Sequence, residues 1–329
     1  MNKVALITGI NGQDGSYLAE FLLDKGYDVW GTIKRNSVSE NQTSRLDGVY
    51  NIIKNNLRYA DLTDLSSLLT VIKECNPDEV YNLGAQSHVR ISFDQPIYTA
   101  QATGIGVLNM LEAVRIHNPQ IRIYQASSSE MFGNSIDDDG FQRETTPLIP
   151  VSPYGCSKVF GYNIARNYRN SYGMYISNGI LFNHESPRRG SNFVTNKVAK
   201  TAVEIKLGMR DKLALGNLNA TRDWGHAKDY VEAMWMILQL DQSDDFVCAT
   251  GISHSVQDLV EFVFNKLDLD WKEHITVDEK YLRPEELEDL KGDSSKLREV
   301  TGWEPNYTFE EMMDEMVDYW LDYYDNKGR

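Results

Sequence analysis

Short apolar runs alternate with amphipathic stretches along the first half of the chain. Uninterrupted runs of Val, Ile and Leu are typical of strands buried on both faces, and apolar residues at helical spacing indicate helices between them. The predicted strands are Val4–Thr8, Asp28–Ile33, Leu57–Ala60, Glu79–Leu83, Arg122–Ser127 and Met174–Leu181. The predicted helices are Ser16–Lys25, Leu65–Glu74, Tyr98–His117 and Pro153–Ser171. Strands alternating with helices predict right-handed crossovers and an α/β fold built on a doubly wound parallel sheet.

The pattern becomes irregular after Leu181, with predicted loops at Ser186–Asn192 and Leu215–Trp224. Two further helices are predicted at Val256–Lys266 and Phe309–Tyr323. We interpret this half as a smaller, mixed α/β, substrate-binding domain over the carboxyl edge of the sheet. The expected division gives residues 1–178, with a return segment at about 221–251, to the sheet domain, and residues 179–220 and 252–329 to the smaller one.

The net charge, the cysteine content and the lengths of the apolar runs limit which kinds of partner the protein could bind. The formal charge of −15 over 329 residues leaves no excess of basic surface for nucleic acid or an anionic membrane, although arginines could still gather around a phosphorylated substrate. The three cysteines are scattered and form neither a disulfide frame nor a metal-binding pair. No apolar run approaches the roughly 20 residues of a membrane span. We therefore expect a cytoplasmic protein with no metal, nucleic-acid or membrane partner.

A glycine-rich turn follows the first predicted strand, in the order Gly9-Ile10-Asn11-Gly12-Gln13-Asp14-Gly15. Glycines there allow a tight turn and a close approach to a pyrophosphate, which the N-terminus of the next helix attracts. A glycine triplet alone is weak evidence, but its place between a strand and a helix indicates a dinucleotide site in a Rossmann-type fold. The spacing G-x-x-G-x-x-G resembles that of short-chain dehydrogenases.

The second strand ends in Lys34-Arg35-Asn36, with no carboxylate to hold the ribose 2′-hydroxyl of NAD. Cations at this position favour NADP, because they accommodate its 2′-phosphate. An ordinary basic turn is the alternative. Asp61 and Leu62 end the third strand, where they could flank the adenine, and Leu83-Gly84-Ala85-Gln86-Ser87 ends the fourth, where the main chain must pass close to the cofactor.

A Tyr and a Lys four residues apart share one face of a helix, and a nearby ammonium can lower the pKa of the phenol. The chain has three such pairs: Tyr50/Lys54, Tyr154/Lys158 and Tyr323/Lys327. Only Tyr154/Lys158 opens a helix after a strand that ends in hydroxyl groups, Ser127 to Ser129. This context, at the ligand-binding edge of the sheet, selects Tyr154 and Lys158.

Several stretches of the sequence together resemble a known family. The stretches that carry the resemblance are Ala5–Glu20, Asp78–Phe93, Tyr124–Glu130, Gly179–Gly190, Arg222–Trp235 and Asp245–Gly251. They are similar to the GDP-mannose 4,6-dehydratases of the extended short-chain dehydrogenase family. The resemblance covers nearly the whole chain and implies conversion of GDP-mannose to GDP-4-keto-6-deoxymannose, for the supply of deoxyhexoses such as GDP-fucose, with a tightly held NADP.

The resemblance also implies roles for individual residues. Ser128 would bind the C-4 hydroxyl, Tyr154 would remove its proton, Lys158 would hold the nicotinamide ribose, and Glu130 would be the base at C-5. NADP would be held by Gly9, Asn11, Gly12, Gln13, Asp14, Gly15, Lys34, Arg35, Asn36, Asp61, Leu62, Leu83, Gly84, Ala85, Gln86, Ser87, Tyr98, His184 and Arg189. The GDP-sugar would be held by Ser87, Asn183, Val194, Lys197, Asn217, Arg222, Arg283 and Glu286.

Glu130 distinguishes a dehydratase from the related nucleotide-sugar epimerases and reductases. A related nucleotide-sugar epimerase or reductase needs the hydroxyl, Tyr and Lys but no second base, whereas dehydration needs a carboxylate to take the acidified C-5 proton. A charge in a surface turn is the bland interpretation of Glu130. A regulatory protein that has lost chemistry would have no reason to keep all three groups.

The chain departs from the family at a few positions. Residue 128 is Ser where the family usually has Thr, so the β-branch that restricts the rotamer is missing. Asn11 likewise replaces a usual Thr in the glycine loop. Members of the family assemble through the cofactor domain, so we expect a homo-oligomer, either a dimer or a tetramer.

Overall fold

The computed structural model describes residues 2–36, 42–278, 281 and 285–326. The strands are β1 Val4–Thr8, β2 Asp28–Ile33, β3 Leu57–Tyr59, β4 Glu79–Asn82, β5 Arg122–Ser128, β6 Ile176–Leu181, β7 Asn183–Glu185, β8 Leu213–Leu215, β9 Thr221–His226, β10 Asp245–Cys248, β11 Ser253–Ser255, β12 Ile275–Val277 and β13 Asp289–Leu290. The α-helices are α1 Gln13–Asp24, α2 Tyr50–Ile53, α3 Leu65–Cys75, α4 Val89–Asp94, α5 Pro96–Thr99, α6 Gly106–His117, α7 Pro153–Tyr172, α8 Val194–Lys206, α9 Ala227–Gln239, α10 Val256–Lys266, α11 Trp271–His274, α12 Ser295–Thr301 and α13 Phe309–Asn326.

The main sheet has seven strands in the order β10-β6-β5-β4-β1-β2-β3. Every pairing in it is parallel. The winding direction reverses between β1 and β4, which leaves a crevice at the carboxyl ends of these two strands. The prediction of a doubly wound parallel sheet with flanking helices is confirmed.

Helices cover both faces of this sheet, because its strands are apolar on both sides. On one face α1 and α9 pack together through buried residues such as Leu22, Met234 and Ile237. On the other face α3, α6 and α7 bury Val71, Leu111 and Ala165. The two layers fix the strand ends, and therefore the crevice, between rigid elements.

The remaining strands form small sheets beside the carboxyl edge. β9 pairs with β11 and β13, and its second half pairs in parallel with β7, which directly follows β6. A separate pair joins β8 to β12. Helices α8, α10 and α13 pack around an apolar core that includes Val198, Val263 and Met313.

Some elements differ from the sequence predictions. The predicted helix at Tyr98–His117 begins earlier, at Pro96, and has a π-helical segment, Ala100–Ile105, between α5 and α6. Strand β9 begins inside the stretch predicted as a loop, and α8 and α9 were not predicted. The pattern of α8 is obscured because polar residues, among them Thr195 and Asn196, are buried on its inner face. No helix within the described ranges is both long and apolar enough to cross a bilayer.

Gly179 in β6 lies opposite Ala126 of β5 and has no room for a side chain. A Cβ atom there would lie 2.0 Å from the Tyr124 hydroxyl oxygen and 2.7 Å from its Cζ. The buried Tyr124 hydroxyl has no hydrogen-bonding partner in the described part of the chain.

We therefore expect Gly179→Ala to lower the free energy of unfolding by about 1–3 kcal/mol, the usual result of overpacking a core. Tyr124→Phe should be near neutral by itself and should restore part of the loss when combined with Gly179→Ala, because it removes the nearest clashing atom. Urea unfolding of the two single variants and the double variant measures this. Equal stability of Gly179→Ala and the unsubstituted protein would contradict the packing described here.

Candidate active site

The glycine loop lies in the crevice between β1 and β4. Gly9 has a φ of +66°, and its carbonyl oxygen accepts a hydrogen bond of 2.9 Å from the Gly12 amide, which makes the turn tight. At Gly15 a Cβ atom would lie 2.4 Å from the Gly9 oxygen, so the loop fits against the first turn of α1 only without a side chain there. Gly12 is the N-cap of α1 and has no side chain to cap the first-turn amides. The glycine loop therefore leads into a helix start whose first-turn amides have no side-chain cap, a geometry that commonly binds anions.

A partly buried ion pair joins the loop to β7. The His184 ring donates from Nε2 to Asp14 Oδ2 at 2.8 Å and from Nδ1 to the Phe182 carbonyl oxygen at 2.7 Å. Both partners are acceptors, so the geometry requires a proton on each ring nitrogen and hence an imidazolium. Burial opposes that charge, but the Asp14 carboxylate raises the pKa of His184 above its usual value.

The pKa of Asp14 shifts in the opposite direction from that of His184. Burial disfavours its ionised form, but the charge and the hydrogen bond of His184 lower the pKa of the Asp14 carboxyl to about 2. Gln13 adds two bonds, from Nε2 to Asp14 Oδ1 at 2.9 Å and to the His184 carbonyl oxygen at 3.1 Å. Ser186 donates to Gln13 Oε1 at 2.8 Å. The glycine loop is therefore tied to the segment that follows β6 through a charge-neutral network.

The end of β2 supplies one cation to the crevice. Lys34 Nζ lies 3.0 Å from Asp61 Oδ2 and donates to the Tyr98 hydroxyl at 2.6 Å. Arg35 turns away, with a guanidinium N–H bonded to the Asn36 carbonyl oxygen at 2.9 Å and the group 5.8 Å from the ring centroid of Tyr59. The two predicted cations are thus not equivalent.

The predicted catalytic residues meet where β5 ends and α7 begins. The Ser128 hydroxyl oxygen accepts from the Glu130 amide at 3.2 Å and caps a 3₁₀ turn, Ser129–Met131. Ser152 caps α7 through the Gly155 amide at 3.0 Å, which places Tyr154 in the first helical turn. Ser128, Glu130, Tyr154 and Lys158 are all buried. They form one compact cluster with little exposure to bulk water.

Burial controls the acid–base properties of this cluster. It raises the pKa of Tyr154 to about 12, while the hydrogen bond with Ser128 works in the opposite direction. Burial lowers the pKa of Lys158 to about 8, and the Asp14 charge opposes that shift. Lys158 Nζ donates to the Ala126 carbonyl oxygen at 2.7 Å and lies 5.7 Å from the Tyr154 ring centroid. The lysine is thus fixed to β5, beside the phenol.

Three basic side chains, from the segments around β7, α8 and β9, also line the cleft. Arg222 donates to the Leu287 carbonyl oxygen at 3.1 Å, with its other terminal nitrogen 3.5 Å from Glu286. Lys197 Nζ donates to the Ala214 carbonyl oxygen at 2.6 Å and lies 3.6 Å from the ring centroid of Tyr281. Arg189 Nε lies 3.0 Å from Glu185 Oε2, and its guanidinium covers the Phe193 ring at 3.7 Å. Each cation is therefore held in place by the fold.

The glycine loop, Lys34, the Ser128–Lys158 cluster and the three basic residues line one continuous cleft of about 980 Å³. The predicted residues that line it are Gly9, Asn11, Gly12, Gln13, Asp14, Gly15, Lys34, Asp61, Leu62, Leu83, Gly84, Ala85, Ser87, Tyr98, Ser128, Glu130, Tyr154, Lys158, Asn183, His184, Arg189, Val194, Lys197, Asn217, Arg222 and Glu286. Arg35, Asn36 and Gln86 do not belong to this lining, and Arg283 lies outside the described residues. Within the described ranges no group of His, Cys, Asp and Glu side chains could hold a metal ion.

Sequence reasoning missed several residues that line the cleft. Thr8 and His88 directly adjoin predicted segments, so extending each segment by one residue would have included them. Phe193 precedes α8, which was not predicted, and Trp224 lies in β9, where a loop was expected. Phe193 and Trp224 were therefore missed because the helix and the strand that position them were not predicted.

A family model described as "GDP-mannose 4,6 dehydratase" matches residues 6–316 of the chain. The chain belongs to the GDP-mannose 4,6-dehydratase family. Membership in this family, expected from the sequence motifs, is confirmed.

Individual relatives agree with this assignment. GDP-mannose 4,6 dehydratase 1 of Arabidopsis thaliana is 51% identical over 326 residues, covering 96% of this chain and 89% of its own. The human GDP-mannose 4,6 dehydratase is 48% identical over 340 residues, covering 96% and 90%. Among solved structures, RMD from Pseudomonas aeruginosa complexed with NADPH superposes with a TM-score of 0.81 at 20% identity, covering 98% of this chain and all of that one. That likeness shows that this dehydratase-family chain shares its fold with RMD.

The Asp14–His184 pair should make stability depend on pH in a defined way. A raised pKa of His184 gives stabilisation that is complete below its unfolded value of 6.5 and is lost as the pH rises through the folded value. The lowered pKa of Asp14 gives stabilisation present above 3.8 and lost as the pH falls through about 2.

We expect His184→Phe to lower the free energy of unfolding by about 1–3 kcal/mol at pH ~6, since it removes the charged donor of the partly buried Asp14 carboxylate and leaves it with the neutral hydrogen bond from Gln13. The difference should shrink as the pH is raised toward ~9. Denaturant unfolding at several pH values measures it, with His117→Phe as control because the His117 ring bonds to the Asn76 side chain near the surface and not to a carboxylate. A His184→Phe loss independent of pH would contradict the imidazolium assignment.

Proposed function

We propose that the protein dehydrates GDP-mannose to GDP-4-keto-6-deoxymannose, using a bound NADP that is regenerated in each turnover. The observation that carries the proposal is the placement of Ser128, Glu130, Tyr154 and Lys158 in one buried cluster, between the glycine loop and the basic residues beside α8 and β9. The relatives from Arabidopsis thaliana and human bear the name of this activity and match the chain over nearly its whole length.

The residues present fit a nicotinamide dinucleotide. Gly9, Gly12 and Gly15 leave room for a close backbone approach, and the first turn of α1 suits a pyrophosphate. Lys34 is the cation placed to meet a ribose 2′-phosphate, which favours NADP over NAD. The structurally similar RMD is complexed with NADPH. When bound, the cofactor would supply hydride acceptance from C-4 of the hexose and hydride return to C-6.

Tyr154 would take the proton of the C-4 hydroxyl. Its pKa of about 12 in the buried site means that ionisation needs help from neighbours. The Ser128 hydroxyl already lowers this pKa through its hydrogen bond, and it would also orient the C-4 oxygen. Lys158 would hold the nicotinamide ribose and place its ammonium near the phenol.

Glu130 would take the C-5 proton once C-4 is a ketone, and would pass it to the departing C-6 hydroxyl, which leaves as water. One carboxylate can serve both steps because the two carbons are adjacent. When hydride returns to C-6, a proton drawn from solvent, delivered through the same carboxyl group, would restore the hydrogen at C-5. The carboxylate lies in a buried site, where a positioned base acts without competition from bulk water. An epimerase or reductase would leave this base without a role.

The nucleotide would lie along α8 and β9. A guanidinium fork matches the oxygens of a pyrophosphate, and Arg222 and Arg189 offer two such groups with orientations fixed by internal contacts. Lys197, Asn183, Asn217, Val194 and Glu286 complete this wall of the cleft. We assign residues 179–220 and 252–329 mainly to this substrate-binding part, and the sheet with its return segment to the cofactor.

We further propose that the protein acts as a cytoplasmic homo-oligomer assembled through the sheet domain. Ile97, Ile105 and Phe160 are 74%, 44% and 39% exposed on α5, the π-helical segment and α7, elements that pack against one another. A second copy would cover such apolar side chains. The cysteines are free, which agrees with a reducing compartment.

The direct test incubates the purified protein, stripped of cofactor, with GDP-mannose and either NADP or NAD. Mass spectrometry should show a nucleotide sugar lighter by one water, formed with a catalytic amount of NADP and more slowly with NAD. An unchanged mass, or reduction that consumes added NADPH in proportion, would reject dehydration.

Glu130→Gln should reduce dehydration by roughly 10²–10⁴-fold, because the amide cannot take a proton. GDP-mannose binding, measured by calorimetry, should stay within severalfold of the unsubstituted protein. The matched control is Glu144→Gln, which changes a partly buried carboxylate outside the cleft that accepts a hydrogen bond from the Val247 amide, and this variant should keep its turnover. In heavy water the unsubstituted enzyme should place deuterium at C-5 of the product, because the original C-5 proton leaves with the water and its replacement comes from solvent. Near-normal turnover of Glu130→Gln would remove its assigned role.

A further inference from the structure

Gln86 lies in the segment that follows β4, and it does not line the cleft although both of its neighbours there, Ala85 and Ser87, do. Its backbone is held by a single side chain. The Gln86 amide donates to Thr103 Oγ1 at 3.1 Å, and Thr103 Oγ1 donates back to the Gln86 carbonyl oxygen at 3.1 Å. The Thr103 hydroxyl thus takes the place of a neighbouring strand for this residue.

The side chain of Gln86 is equally committed. Nε2 donates to Thr99 Oγ1 at 3.1 Å and to the His88 carbonyl oxygen at 3.2 Å, while Oε1 accepts from the His88 amide at 2.8 Å. Every N–H group of Gln86 is therefore used inside the protein. The His88 amide can only donate, so it fixes which end of the Gln86 amide is the oxygen.

The two threonines belong to the helix with the π-helical segment. Thr99 ends α5 and Thr103 lies within Ala100–Ile105, and both are completely buried or nearly so, at 0% and 1% exposure. Thr99 Oγ1 donates its own proton to the Gln95 carbonyl oxygen at 2.8 Å, which leaves its oxygen to accept from Gln86. π-Helical turns inside α-helices are frequent at functional sites.

This helix also supports other parts of the cleft. Gly104 packs against Ser157 of α7, the helix that holds Tyr154 and Lys158, with a Cβ position 3.5 Å from the Ser157 carbonyl oxygen. Asn109 in α6 donates to the Leu62 carbonyl oxygen at 2.7 Å. The continuous helix formed by α5, the π-helical segment and α6 therefore contacts the segments after β3 and β4 and also α7, and it fixes their relative positions.

The segment held by Gln86 ends in residues that face the substrate space. Ser87 and His88 line the cleft, and His88 Nδ1 accepts the Ile91 amide at 3.3 Å as the cap of α4. That bond places the ring proton on Nε2. The centroid of the His88 ring lies 5.2 Å from that of Phe193, which also lines the cleft and directly precedes α8.

We propose that Gln86 is a positioning residue for the proposed dehydration, acting through Thr99 and Thr103 to set Ser87 and His88 beside the sugar, and that it does not contact the cofactor. The proposal rests on the function proposed above. It replaces the direct cofactor contact expected from sequence, because Gln86 has no N–H group left for a ligand.

Gln86→Glu is the sharpest variant, since it keeps the size but turns two donors into acceptors. Its kcat should fall by roughly 10–100-fold, the scale of a misplacement of about 1 Å, while the KM for GDP-mannose changes little because Arg222 and Lys197 hold the nucleotide elsewhere. Thr103→Val should give a similar fall and Thr103→Ser should retain activity. Thr70→Val, which removes a comparable hydroxyl bonded to the Ser66 carbonyl in α3, is the control and should leave kcat unchanged.

A double-mutant cycle distinguishes positioning through Thr103 from a direct contact of Gln86 with the cofactor. If Gln86 acts through Thr103, the variant with both Gln86→Glu and Thr103→Val should be no slower than the slower single variant. Losses that multiply would overturn the proposal. So would a Gln86→Glu variant whose NADP affinity, measured by calorimetry, falls tenfold while that of Thr103→Val is unchanged, since this pattern indicates a direct contact.

Amide hydrogen exchange gives a result that needs no activity. The Gln86 amide should exchange slowly in the unsubstituted protein and at least tenfold faster in Thr103→Val, and the His88 amide should do the same in Gln86→Ala. Unchanged exchange at both amides would overturn the positioning role. If the unsubstituted protein does not dehydrate GDP-mannose, the proposed function fails, while the exchange rates still decide whether Gln86 holds this segment.

Discussion

The reversal of winding between β1 and β4 is the constraint on which the rest of the molecule depends. A sheet that is apolar on both faces must be covered by helices on both sides, so each crossover leaves the carboxyl edge and returns to the opposite edge. Where the crossovers part in opposite directions, no helix can fill the gap. The glycine loop after β1, the segment after β4 and the Ser128 turn after β5 all open into that gap, which explains why residues far apart in sequence share one cleft.

Hydrogen bonds within the protein hold the polar groups around the cleft in fixed positions. The Asp14–His184 pair, Gln13 with Ser186, and Gln86 with its two threonines satisfy one another before any ligand binds. Buried polar groups without partners would cost several times what a surface group costs, so each network stabilises one loop conformation. A ligand would then meet preset positions, and binding energy would not be spent on ordering these loops.

Sequence could predict the sheet because its signals are local. The strand runs, the glycine spacing and the context of Tyr154/Lys158 each lie within a few residues. The smaller sheets were harder, since β9 is a short strand that reads Thr-Arg-Asp-Trp-Gly-His and is stabilised by β7, β11 and β13 from distant parts of the chain. The distinct behaviour of Lys34 and Arg35, and the inward commitment of Gln86, depend on tertiary hydrogen bonds that no spacing rule records.

Ser128 shows how the fold can replace a side-chain property. The sequence resemblance leads to the expectation of a threonine at this position, whose β-branch limits its rotamers, and serine has no such limit. Here the hydroxyl oxygen accepts the Glu130 amide and the group also hydrogen-bonds to Tyr154. Together these two contacts determine the χ1 angle, because swinging the oxygen to another rotamer would leave the buried Glu130 amide without its acceptor. The rotamer that a branch would favour locally is thus imposed by the cap of the 3₁₀ turn, and the same bond ties the position of the proposed base to that of the hydroxyl.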